Sequence, residues 1–162
     1  MQMLQKNLTG WRTDMAFNEA MRKTGNIVCE TPPDFFARLS RIFRFTLDVC
    51  AIPENAKCEN FYTPEIDGLS QPWKGGVWCN PPYGREIGRW TSKAVEEIQK
   101  DYCDFIVMLL PARTDTSWFQ RDVLNKASLH FVRGRLKFGE NEKDAPFPSV
   151  IAVYAKNAGK CD

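Results

Sequence analysis

An asparagine, two prolines and a tyrosine stand together at Asn80-Pro81-Pro82-Tyr83, and this set of residue types can work on a planar amino group. The Asn80 amide oxygen and a neighbouring backbone carbonyl can both accept hydrogen bonds from one NH₂. Such a nitrogen, the 6-amino group of adenine for example, is a poor nucleophile because its lone pair is delocalised into the ring. Two acceptors drawing on its hydrogens favour a tetrahedral nitrogen and return the lone pair to the direction of attack. Tyr83 can lie against the ring of a base, a contact worth about 1–3 kcal/mol. Pro81 and Pro82 fix φ, remove two N–H donors and push residue 80 to extended backbone, so the loop is stiff before a substrate arrives. The chemistry implied is methylation of an amino nitrogen by a sulfonium donor. Adenine in DNA, adenine in RNA and the glutamine side chain all present such a group.

A loop of this kind needs a strand to deliver it and a helix to brace it. "GVWC" (76–79) reads as a buried strand, and "GREIGRWTSKAVEEIQK" (84–100) as a helix with Ile87, Trp90, Ala94 and Ile98 on one face. "TPPDFFARLSRIF" (31–43) predicts another helix. There Thr31 is the expected cap, Pro32 suits the first turn and Asp34 the positive end, while Phe35, Phe36, Leu39, Ile42 and Phe43 form an apolar face. "RFTLDVCA" (44–51) reads as a short strand ending near Asp48, followed by a Pro-, Glu-, Asn- and Gly-rich stretch to residue 75 with only short elements. "DFIVMLLPA" (104–112) is the clearest central strand; "TDTSWFQRDVLNKA" (114–127) reads as a helix, and "SLHFV", "RLKF" and "SVIAVYA" as three closing strands. Strands alternating with helices imply an α/β fold. Its sheet is expected to be largely parallel and covered on both faces, with the closing strands adding an antiparallel edge. Ligands bind such sheets at the carboxyl ends of the strands, where Asp48, Asn80 and the segment after Leu110 would share a rim.

The 162 residues suit a single domain over 1–162, with 1–28 as an N-terminal extension. No apolar run approaches the roughly 18 residues of a membrane span, and residues 1–14 carry no signal-peptide pattern, so a soluble cytoplasmic protein is expected. The six cysteines form no CxxC pair and there is one histidine, so no zinc site or other metal is expected. His130, between Leu129 and Phe131, reads as an ordinary strand residue, and Cys79 as structural. Net charge is only +2, but Arg113, Arg121, Lys126, Arg133, Arg135 and Lys137 face only Asp115 and Asp122 within residues 113–137. That local excess is compatible with phosphate backbones.

Asn-Pro-Pro-Tyr after an apolar strand resembles the catalytic motif of S-adenosylmethionine-dependent N6-adenine methyltransferases. The ordered set "TPPDFF", "LDVCAIPENAKCENFYT", "DGL", "VWCNPPYG", "LLPARTDTSWF", "GRLKF" and "APFPS" resembles the small phage DNA N6-adenine methyltransferases from about Thr31 to Tyr154. The resemblance implies a compact Rossmann-like methyltransferase fold. It also implies direct methyl transfer from S-adenosylmethionine to adenine N6 in double-stranded DNA, with the base turned out of the helix. Carried over position by position, it makes Asn80, Pro81, Pro82 and Tyr83 the catalytic loop. It sets Thr31, Pro32, Asp48 and Asp67, with Asn80, around the donor, and Arg113, Thr114 and Asp115 on the substrate side. Arg133 and Arg135 extend the expected DNA surface. Two features depart from the pattern. Asp48 is followed by "VCAIPENA", with no glycine-rich loop, and only 32 positions separate it from Asn80. No insertion is long enough for a separate target-recognition domain. A catalytically silent DNA-binding relative would share the fold, but the intact motif argues against it. Nothing in the chain specifies a target sequence or an oligomeric state.

Overall fold

Hydrophobic runs at 47–51, 76–79, 103–111 and 149–155 line up side by side as the centre of a mixed sheet. A computed structural model describes residues 30–138 and 143–156. Its strands are β1 (Leu47–Asp48), β2 (Asn60–Phe61), β3 (Gly75–Cys79), β4 (Cys103–Pro111), β5 (Ser128–Phe131), β6 (Lys137–Phe138), β7 (Lys143–Asp144) and β8 (Ser149–Ala155). Among the described residues the main sheet has the order β2-β1-β3-β4-β8-β5, and β6 pairs only with β7. The first four strands are parallel; β8 runs antiparallel to both β4 and β5. The expected parallel sheet with an antiparallel edge is therefore observed, but "RLKF" is not one of its closing strands: it supplies only Lys137–Phe138, which pairs with β7 outside the main sheet. The proposed extension at 1–28 lies outside the described residues.

Alternation along the strands divides the core into two layers. Val77, Cys79, Ile106, Met108, Leu110, Val150 and Ala152 point to one face, covered by α2 (Ile87–Glu97) through Ile87, Trp90 and Ala94 and by Ile98 just beyond it. Trp78, Val107, Leu109 and Ile151 point to the other, covered by Phe36 and Leu39 of α1 (Pro33–Ser40) with Phe43 and Phe45 after it. Strands buried on both faces read as continuous apolar runs, which is why "GVWC" and "FIVMLL" show no alternation. Trp78 anchors the second layer, with Phe36 and Phe45 edge-on at 5.2 and 5.6 Å.

Three further expectations are corrected. α1 is capped by Pro32 (φ −57°, ψ 133°), not Thr31, because two prolines in succession set the extended entry and the first turn by themselves. Ile42 is 76% exposed: the helix stops at Ser40, and in the turn after it Phe43, not Ile42, packs on the apolar layer. Between 114 and 127 the expected helix is confined to residues 117–123, of which Phe119–Val123 is a π-helical segment. Leu124 is extended and Asn125 adopts φ 62°, which ends it there.

No helix separates β1 from β3. Residues 49–59 fold back locally and β2 pairs outside β1, so 32 positions suffice to bring Asp48 and Asn80 to the same rim.

Candidate active site

β3 ends at Cys79 and hands Asn80 to the carboxyl rim, one residue past the pair Cys79–Met108. Pro81, Pro82 and Tyr83 follow, all buried, and α2 begins at Ile87. The Asn80 side-chain NH₂ donates to Thr31 Oγ1 at 2.9 Å. Thr31 is 4% exposed and lies 49 positions away in sequence, so α1's docking on the sheet is what carries this oxygen to the loop. The donation fixes the amide's orientation: Nδ2 is engaged by Thr31, and Oδ1 is the end that can accept from an amino group. Thr31 was expected near the donor; the structure brings it directly to the catalytic asparagine candidate.

Tyr83 is held rather than loosely presented. It is 3% exposed, its hydroxyl donates to the Leu109 carbonyl at 3.2 Å, and Phe147 meets its ring edge-on at 5.3 Å. The Arg113 guanidinium sits over Phe147, 5.9 Å from the ring centre. Arg113, Thr114 and Asp115 themselves are exposed in the turn after β4. Sequence reasoning gave Phe147 no role; the only signal is its place between two short proline-containing turns, in "APFPS", where the chain re-enters the sheet. Arg133 and Arg135 are also exposed, beyond β5 at the far edge.

A cavity of about 190 Å³, with Pro82 of the loop in its wall, opens between the loop after β1, residues 62–68 and the start of α2. Val49, Ala51, Tyr62, Pro64, Pro82 and Trp90 give it apolar walls, and Asp67 and Glu86 bring carboxylates. Asp67 adopts φ 56°, a backbone conformation that Asp tolerates, and its Oδ1 accepts from Leu69 N. The following Gly68 has no alternative, because a Cβ there would overlap the Val49 carbonyl oxygen.

Asp48 does not line that cavity. It is 2% exposed, with Oδ1 accepting from Cys50 N at 3.2 Å and Oδ2 from Lys57 N at 3.0 Å. Burial pushes its carboxyl up to about 6, against the opposing pull of the Lys57 and Cys50 N–H groups. The acid thus shapes the loop that a glycine-rich sequence shapes in many methyltransferases, and it does so by collecting that loop's backbone donors. Burial also drives the Cys79 thiol well above its ordinary range, with Cys50 and Asp48 adding to the shift, so it stays protonated beside the loop. Among the described residues no cluster of His, Cys, Asp and Glu is arranged to hold a metal ion, and no helix is long and apolar enough to cross a membrane.

Comparison with known proteins identifies relatives in sequence and in fold. A family model described as DNA N-6-adenine-methyltransferase (Dam) matches residues 20–154. The chain is 36% identical over 133 residues to an Escherichia phage T1 protein named DNA N-6-adenine-methyltransferase, covering 80% of this chain and 55% of that protein. It is 35% identical over 101 residues to a protein of the same name from Haemophilus phage HP1 (strain HP1c1), covering 61% and 57%. The chain spans somewhat more than half the length of these two relatives. A crystal structure of the 23S rRNA methyltransferase ErmE matches with a TM-score of 0.52 at 11% identity, over 83% of this chain and 72% of that one. That likeness is one of fold, the Rossmann-like methyltransferase sheet with its antiparallel edge.

Proposed function

The chain belongs to the DNA N-6-adenine-methyltransferase family, and from that premise we propose that it methylates the N6 amino group of adenine in DNA, using S-adenosylmethionine. One observation carries the reading: the Asn80 amide, oriented by Thr31, stands on a proline brace beside a cavity with apolar walls and acidic edges. The cavity fits the flat adenine end of the donor better than the whole molecule, since complete small-molecule sites usually occupy about 300–1,000 Å³. We assign Asp67 and Glu86, whose carboxylates border it, to the donor's hydroxyl groups. Once bound, the donor supplies an electrophilic methyl group on sulfur.

The remaining work belongs to the protein. The target base must leave the duplex to reach the rim, at a cost of a few kcal/mol. Asn80 Oδ1 and the Pro81 carbonyl then accept the two N6 hydrogens, which returns the nitrogen lone pair to the attacking direction. The new N–C bond forms as the donor's C–S bond breaks, and the amino group releases a proton to solvent. The buried Tyr83–Phe147 pair backs the loop from the core side, and Arg113 over Phe147 contributes positive charge beside it.

The test is transfer of labelled methyl groups to unmethylated duplex DNA, with RNA and protein as parallel acceptors. Asn80→Ala should lower kcat by about 10²–10³-fold, the scale of losing a preorganised polar contact to the reacting group, while donor binding persists. Label entering only RNA or protein, or an Asn80→Ala enzyme as fast as wild type, overturns the reading.

A further inference from the structure

The carboxyl rim continues past the catalytic loop to the far edge of the sheet. Pro111 pairs with Ser149, Phe131 pairs with Val150, and Val132 N donates to Ser149 O at 3.0 Å. The end of β5 is therefore level with the end of β4, where Arg113 begins. Alternation along β5 sets Phe131 on the same face as Leu129, which packs against the core layer containing Tyr83 and Phe147. Leu129 is partly covered there, yet Phe131 is 64% exposed. Exposed Arg133 and Arg135 follow, separated by Gly134 at φ 78°, with nothing near enough to meet a side chain at 134. A large exposed ring is thus followed by two cations on a turn, on the rim to which the catalytic loop also belongs.

We propose that Phe131, Arg133 and Arg135 form a duplex-gripping corner, the ring stacking on or wedging between bases while the two arginines hold phosphates. The proposal rests on DNA being the substrate. Three strand spacings of ~4.8 Å separate β3 from β5, about 14 Å, or roughly four base-pair steps. The corner therefore addresses bases flanking the target adenine rather than the target itself. Apolar wedges beside arginines are a recurrent way to deform and hold a duplex. Pairing of this edge with a second copy fits less well. An antiparallel register centred between Leu129 and His130 would set Arg133 of each copy opposite exposed Lys126 of the other.

The experiment compares wild type, Phe131→Ala, Phe131→Trp and the single variants Arg133→Ala and Arg135→Ala, using labelled S-adenosylmethionine and unmethylated mixed-sequence duplex DNA. Loss of one stacking contact predicts about a 5- to 150-fold higher KM for DNA in Phe131→Ala. Phe131→Trp should stay close to wild type, and the KM for the donor should not move. Each arginine variant should lower the slope of log affinity against log salt by about 1, a slope Phe131→Ala leaves alone. A wild-type KM for DNA in Phe131→Ala overturns the inference and leaves the proposed activity standing. A wild-type dimer that Phe131→Ala converts to a monomer, seen by sedimentation, assigns the ring to a contact between copies and overturns it too. Failure of wild type to label DNA at all removes the proposed activity first, and the inference with it.

Discussion

At the residue scale, the informative contact is Asn80 to Thr31. An amide on a rigid loop still has two ends, and catalysis of the proposed kind needs the oxygen end toward the substrate. Thr31 settles this by accepting from Nδ2 at 2.9 Å in a buried setting. Thr31→Val keeps the shape and removes the acceptor, so kcat should fall about 5- to 10-fold, the value of one hydrogen bond, with the donor's KM unchanged. Thr31→Ser should restore the rate. Steady-state kinetics decide the matter: a raised donor KM at constant kcat would make Thr31 a donor ligand, as the family resemblance suggests. Asn80, Pro81, Pro82 and Tyr83 were legible because four unusual neighbours sit together in the chain. The Thr31 contact was not, because nothing local links positions 49 apart.

At the element scale, α2 and the π-helical segment are joined by a buried acid. Asp122 accepts from Thr91 and Ser92 of α2, each at 2.9 Å, and pairs with Arg121 at 2.6 Å. Burial pushes its carboxyl up, but Arg121, Ser92 and Thr91 outweigh that and hold it below the ordinary carboxylate range. The Tyr154 hydroxyl of β8 donates to its backbone carbonyl at 3.0 Å. This knot ties the helical segment around residues 117–123 to α2 and to the sheet at one point. Asp122→Ala leaves two hydroxyls and a half-exposed guanidinium without their acceptor. It should cost about 2–3 kcal/mol, visible as a lower urea midpoint at unchanged m-value. An unchanged midpoint would show that the knot is ornamental to stability.

At the scale of the whole molecule, the buried Asp48 makes stability depend on pH. Its carboxyl titrates at about 6 in the folded protein and near 3.9 when unfolded, so the folded state holds the proton more tightly. The resulting stability is fully present below about pH 4 and is lost as pH rises through about 6, amounting to about 3 kcal/mol. Asp48→Asn cannot titrate. Its stability relative to wild type should therefore improve by about that amount between pH 4 and pH 7, measured by urea unfolding at each pH. A constant difference across that range would place the titration elsewhere. The same carboxylate gives the loop after β1 its shape through the Cys50 and Lys57 N–H groups, so one group links global stability to the wall of the cavity proposed for the donor.

The sequence by itself determined most of the sheet and the rigid Asn-Pro-Pro-Tyr loop proposed to be catalytic. Short continuous apolar runs such as "FIVMLL", too short for a helix of typical length, read as strands buried on both faces, and Asn-Pro-Pro-Tyr is rigid wherever it stands. Charge at Arg113, Arg133 and Arg135 was visible too, because it needs no partner to be read. Only the tertiary structure decided what those parts meet. It turned Asp48 inward onto the N–H groups of Cys50 and Lys57, seated Phe147 on Tyr83, and moved Thr31 from helix cap to partner of Asn80. Each of these is a contact between segments whose distance along the chain says nothing about distance in space. Hydrophobic period fixes which face a residue takes; packing of the layers fixes which side chains then touch.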